Sequence, residues 1–192
     1  MSLRTFVWIL VAIIGITVIS CNARMQFNSA KKEPQKQYIE EASITVTAPV
    51  LEKKTLNEEQ IRETQKDFVD YAAVYGTFYK KVEYSLIYTL YKNEINLEDA
   101  QKNIFVIFEG KSFKYEILQN PEDKDEKIGI SGTFEIDGKP FGTEIVLIKR
   151  NLNFWQALSV FPYSQANKES AQKYIDSIVI DEVIAHKAEK KK

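Results

Sequence analysis

The chain opens with an uninterrupted apolar run, Thr5 to Ser20, sixteen residues without a charge. It turns polar at once after Cys21, with Asn22, Arg24, Gln26, Asn28, Lys31, Lys32 and Glu33. Residues 22–41 are rich in Lys, Gln, Glu, Asn and Ser and hold few apolar positions, a composition expected of a flexible tether. Ala42 to Val50 is β-branched and alternates at Ile44 and Val46; Pro49 restricts it to an edge strand or an extended lead-in. Thr55-Leu-Asn-Glu58 has the form of a capping box. Ile61, Gln65, Phe68, Ala72 and Tyr75 follow on one helical stripe, so the spacing predicts a helix over about 57–75 that Gly76 stops. Its Tyr71–Phe78 end competes as an extended segment.

From Val82 the period changes to two. Val82, Tyr84, Leu86, Tyr88 and Leu90 alternate with Glu83, Ser85, Ile87, Thr89 and Tyr91, which predicts a strand. Asn96 stands as an N-cap before a helix over Leu97 to Phe108, closed by Gly110. Phe113, Tyr115 and Ile117 alternate in a further strand, and 120–127 reads as a polar loop. Ile128, Ile130, Phe134 and Ile136 alternate up to Asp137-Gly138, a hairpin signal, and Phe141 to Arg150 returns as the partner strand. Phe154, Trp155, Leu158, Val160 and Phe161 are apolar on both faces, the pattern of a central strand. Asn167 is expected to cap a helix carrying Ala171, Tyr174, Ile175 and Ile178, and Ile178–Ile184 closes the domain as a strand or a helix continuation. The fold class is therefore α+β, an antiparallel sheet with two or three helices packed on it, after a leader and a tether.

Met1-Ser-Leu-Arg4 and the apolar run have the layout of a signal peptide. Val18-Ile19-Ser20-Cys21 resembles the lipobox of bacterial lipoproteins, in the relaxed form of spirochaete lipoproteins because Ile19 is bulky. The resemblance covers the first 21 residues. It implies cleavage between Ser20 and Cys21 and acylation of the Cys21 thiol with chains such as palmitate, hence a membrane anchor at the bacterial cell envelope, inner or outer. The other reading is an uncleaved transmembrane anchor, for which sixteen residues is short of the roughly 20 that span a bilayer. Residues 128–180 resemble the end of Mog1/PsbP-like domains in their order of hairpin, aromatic strand, helix and closing strand. That resemblance implies an α+β domain and transfers no functional residue. The expected divisions are 1–20 signal peptide, 21–56 lipid-anchored tether, 57–184 one α+β domain and 185–192 a basic tail.

Charge is balanced, 26 Lys and Arg against 27 Asp and Glu. Removing residues 1–20 takes away Arg4 and no acid, leaving 25 against 27. No nucleic-acid footprint follows from that balance. Cys21 is the one cysteine and His186 the one histidine. Histidine-dependent triads and most zinc sites need a histidine inside the domain, so no metal or cofactor is expected. Glu109-Gly-Lys-Ser112 resembles the end of a phosphate-binding loop, but Phe105 stands where that loop needs its first glycine. Glu122, Asp123, Asp125 and Glu126 lack calcium-loop spacing. The unusual feature is tyrosine density. Tyr84, Tyr88, Tyr91 and Trp155 form a candidate binding surface, with the seam between helix and sheet as the other place for such rings. These readings lead to a non-enzymatic envelope lipoprotein that binds or scaffolds an envelope partner. A small-ligand carrier and a carboxylate enzyme acting on envelope glycans are the alternatives.

Overall fold

The computed structural model describes residues 33–54, 68–109, 111–119 and 126–182. Cys21, the leader, most of the expected 57–75 helix, the acidic loop at 122–125 and the basic tail lie outside these residues. No helix among the described residues is long and apolar enough to cross a membrane.

Two antiparallel sheets and two helices make up the described fold, which is α+β and rich in strand. A small sheet joins β1 (Gln35–Ile39), β2 (Ile44–Ala48) and β10 (Val179–Ile180) in the order β1-β2-β10. The large sheet contains β3 (Glu52–Lys54), β4 (Val69–Tyr79), β5 (Val82–Tyr91), β6 (Lys114–Gln119), β7 (Glu126–Ile136), β8 (Lys139–Arg150) and β9 (Asn153–Pro162). Its order is β3-β4-β5-β9-β8-β7-β6, which puts the aromatic strand β9 in the middle as its two-faced apolar pattern requires. Helix α1 (Leu97–Ile107) packs on one face and α2 (Gln165–Asp176) on the other.

Local chemistry accounts for most of these boundaries. The Asn96 side chain accepts from the backbone N–H of Glu98 and Asp99 at the start of α1. Asp137 and Gly138 turn β7 into β8 with φ of 51° and 72°, the left-handed pair that a two-residue hairpin needs. Lys80 and Lys81 do the same between β4 and β5 with φ of 45° and 71°, without a glycine to ease it. At Gly142 the Phe161 ring lies so close that an added Cβ would sit 2.3 Å from it.

Two layers of core flank the large sheet. On the α2 side, Leu86, Tyr88, Val146, Trp155 and Phe161 meet Ile44 and Val46 of the small sheet and Tyr174 and Ile175 of the helix. On the α1 side, Ile87, Ile130, Ile145, Leu147 and Leu158 meet Leu97, Ile104 and Phe108.

Three expectations change. Residues 69–75 are strand, with Val69–Tyr79 registered against Val82–Tyr91. A stripe at three- and four-residue spacing fits a helix, but a run of Val, Tyr and Thr beside a ready partner strand takes the sheet instead. The expected tether over 21–56 carries three strands. The Gln-Lys-Gln sequence of β1 is polar, but its backbone pairs along β2, whose Ile44, Val46 and Ala48 are fully buried. Gln37 fastens the turn after β2: its Nε2 donates to the carbonyls of Ala48 and Pro49 at 3.1 Å, and its Oε1 accepts from the Leu51 N–H. The cap of α2 is Ser164, whose side chain accepts from the Asn167 N–H; Asn167 is inside the helix and donates to the Pro162 carbonyl.

Candidate functional site

The aromatic residues expected as a binding surface are interior. Tyr84, Tyr88, Tyr91 and Trp155 are each less than 5% exposed, so they form the seam and not a face. Alternation along β5 sends Tyr84 and Tyr88 toward α2 and Tyr91 toward α1. Tyr88 donates to Asn153 Oδ1 at 2.7 Å, and the Trp155 indole N–H donates to the Ala42 carbonyl at 2.7 Å. Tyr84 meets Tyr174 edge-on with ring centres 5.4 Å apart. Burial pushes the Tyr84 and Tyr88 hydroxyls up to about 12 and raises Tyr91 further, which holds all three neutral.

Around the outer end of Tyr84 a cleft of about 360 Å³ opens where the small sheet, the β4–β5 turn and α2 meet. Ala48 and Pro49 come from the end of β2, Tyr79, Lys80 and Val82 from the hairpin, and Asn167, Ser170, Lys173 and Tyr174 from one side of α2. Spacings of three and four residues put those four helix residues together. Glu33 closes the rim. Its carboxylate accepts from Lys80 Nζ at 3.0 Å, and Lys80 Nζ lies 5.0 Å from the centre of the Tyr79 ring. Hydrogen bonds from Tyr79 and then Lys80 hold the Glu33 carboxyl below its usual range. The cleft is thus an apolar, ring-walled space with a cationic rim.

A second, more polar cleft of about 230 Å³ lies on the same face of the large sheet, toward β6. Register places Tyr84, Ser159, Glu144, Ser131 and Glu116 in one row across β5, β9, β8, β7 and β6. Glu144 is 3% exposed and accepts from the Ser131 hydroxyl at 2.8 Å. Burial raises its pKa, while the Ser131 hydrogen bond and Lys168 of α2 pull it down. The sequence signal for it is plain in retrospect: Glu144 is a lone acid within the apolar run of β8.

Glu41 forms a third cluster, at the joint between the sheets. One oxygen, Oε2, accepts from Lys53 Nζ at 2.5 Å, Tyr71 Oη at 2.5 Å and Tyr75 Oη at 2.8 Å. Those three donors, Lys53 foremost, lower its carboxyl to about 2. Its partners come from β3 and β4, so the cluster fastens the turn between β1 and β2 to the large sheet. The acidic loop contributes only Glu126 to the described residues, and it pairs with Lys149 at 2.8 Å. No group of three or more potential metal-ligating side chains occurs among the described residues.

No family model matches the chain, and no curated protein matches it. Among solved structures, it is similar to the crystal structure of PA94, a protein of unknown function from Pseudomonas aeruginosa. The two are 10% identical, the match covers 79% of this chain and 100% of that one, and the TM-score is 0.43.

Proposed function

We propose that this protein is a lipid-anchored component of a bacterial cell envelope whose domain is a non-enzymatic binding module, taking a small ligand in the cleft between α2 and the small sheet. The anchor reading is supported by the sixteen-residue uncharged run that ends at the single cysteine, Cys21. The binding reading is carried by the cleft at Tyr84. Its volume of about 360 Å³ falls in the range of roughly 300–1,000 Å³ that small-molecule sites occupy. Burial of Tyr84, Tyr88, Tyr91 and Trp155 removes the flat tyrosine patch that a protein partner would have used, and so favours the small ligand.

Eleven residues, 22–32, separate Cys21 from Glu33 on the cleft rim. At no more than about 3.6 Å per residue, a lipid on Cys21 holds that rim within about 40 Å of the bilayer. The cleft is therefore the part of the described domain with the shortest leash. Cys21→Ala in a bacterial host is expected to abolish labelling by radioactive palmitate and to release the protein from membranes or leave a longer precursor. Unchanged labelling of that variant defeats the anchor.

A carboxylate enzyme is the second reading, favoured by Glu144 and Glu116 lining the polar cleft with Ser131 between them in register. Two strand spacings put their backbones roughly 10 Å apart, near the upper end of the separations of about 6.5–9.5 Å between carboxyls in inverting glycosidases. It requires that the wild type release reducing ends from envelope glycan and that Glu144→Gln does not.

A further inference from the structure

We infer that the cleft at Tyr84 selects a small organic anion, a carboxylate or phosphate on a compact apolar or aromatic body. The inference rests on the reading of that cleft as a ligand site and adds the class of ligand.

Charge on the lining is lopsided. Lys80 and Lys173 supply two cations, from the β4–β5 turn and from α2, and Glu33 is the one acid among the lining residues. Glu33 is already engaged with Lys80, so Lys173 faces the cleft with no ion pair among the described residues. The body of the cleft is apolar, with Pro49, Val82 and Ala166 beside the rings of Tyr79 and Tyr174. Such walls suit an aryl or short alkyl group and give an inorganic ion little to hold.

Tyr84 points independently to a ligand. The residue is 97% buried and lines the cleft, yet no hydrogen bond acts on its hydroxyl among the described residues. Its proton is held by burial first and then by the charge of Tyr79, against the opposing pull of Lys80. A neutral phenol that keeps its proton can donate to an anionic oxygen, and such charge-assisted bonds are the strong ones. Lys80, Lys173 and Tyr84 therefore present three donors around one apolar space, drawn from a turn, a helix and a strand.

The Glu33–Lys80 pair makes the inference sharp, because Glu33 competes with an anionic ligand for Lys80. Neutralising Glu33 frees that cation for the ligand. An anion then binds Glu33→Gln more tightly than wild type, whereas a cationic ligand would bind it more weakly.

The test uses the full chain in phosphatidylcholine nanodiscs, titrated calorimetrically with 1-naphthyl phosphate and with 1-naphthol, protein-free nanodiscs serving as the blank. One naphthyl phosphate per chain is expected, bound about tenfold more tightly than naphthol, as one charged hydrogen bond supplies. Lys173→Ala weakens the phosphate about tenfold and leaves naphthol unchanged, Glu33→Gln tightens the phosphate several-fold, and Ser170→Trp, which fills the cleft from the exposed side of α2, removes both. Equal affinity for the two compounds overturns the anion class and leaves the cleft reading standing. Binding of neither at millimolar concentration overturns the cleft reading itself, as does binding that survives Ser170→Trp. Phenyl phosphate and dihexanoyl phosphatidylglycerol, used as competitors, separate a free anion from a lipid headgroup as its source. Displacement by either upholds the class, and displacement by neither defeats it.

Discussion

Glu41→Gln isolates the electrostatics of the joint between the sheets. The substitution keeps the shape of the side chain and one acceptor oxygen but removes the charge that Lys53, Tyr71 and Tyr75 address. Its three donors bring the carboxyl down to about 2 in the fold from an ordinary 4.5. At 1.36 kcal/mol per unit the upper bound is about 3.4 kcal/mol. The Glu41 and Lys53 side chains are 44% and 49% exposed, so solvent screening reduces this to about 1–2 kcal/mol. At about 2–4 °C per kcal/mol for a domain of this size, the melting temperature should fall by about 2–8 °C at pH 7. The folded pKa lies below the unfolded one, so the stabilisation is complete above about pH 5 and drains away as pH falls toward 2. Thermal melts of both proteins followed by circular dichroism between pH 7 and pH 2 should therefore show two curves converging on the acid side. Glu40→Gln, at the exposed neighbour, is the control and should stay near wild type. A gap that persists undiminished at pH 2, or a variant as stable as wild type at pH 7 in low salt, refutes the account.

Two further substitutions probe the layer beneath α2. Glu144→Gln should stabilise the fold at pH 7 by on the order of 1 kcal/mol, since burial penalises the charged carboxylate and the neutral amide still accepts from Ser131. The folded pKa of Glu144 is raised from the ordinary 4.5, so this gain should vanish as pH falls below that value, where the carboxyl is protonated in both states; a variant less stable at pH 7 is the contrary result in denaturant titrations. Trp155→Phe removes the donor to the Ala42 carbonyl and part of a fully buried ring, at a cost of about 2–4 kcal/mol. Its amides at Ile44–Ala48 should exchange hydrogen faster, and unchanged exchange there would show that the indole does not hold the small sheet.

Much of the large sheet is legible in the sequence because its cues are local. The alternation of β5, the Asn96 cap and the Asp137-Gly138 turn each need only neighbouring residues to be read. The two-faced apolar pattern of Phe154 to Phe161 even gives the rank of β9 in the sheet. What escapes is set by partners distant in sequence. Gln35-Lys-Gln is a strand only because β2 lies beside it, and β2 is buried only because α2 and Trp155 cover it. Residues 69–75 carry helical spacing and a strand's residue types at once, and pairing with β5 decides between them. The candidate site shows the same division. A dense tyrosine cluster is visible along the chain, but burial is not, and the open cleft forms where Ala48, Lys80 and Lys173 converge from three separate stretches.

The small sheet also joins segments that lie far apart in the chain. Its middle strand, β2, is flanked on one side by β1, its neighbour in sequence, and on the other by β10, where Ile44 and Thr45 pair with Ile180 and Val179. The segment around β10 adds further ties: the Asp181 N–H donates to the Ser43 carbonyl, the Thr47 N–H donates to Ser177 Oγ at 2.8 Å, and Arg150 Nη1 donates to the Asp181 carbonyl at 2.6 Å. The earliest in sequence of the described strands are thus latched by residues more than a hundred positions further along. A chain cut short after β9 keeps the partners of its central strands, but its β1–β2 hairpin lacks the β10 latch. The strand that β10 latches lies beside the rim of the cleft, so the late segment and the candidate site share one sheet.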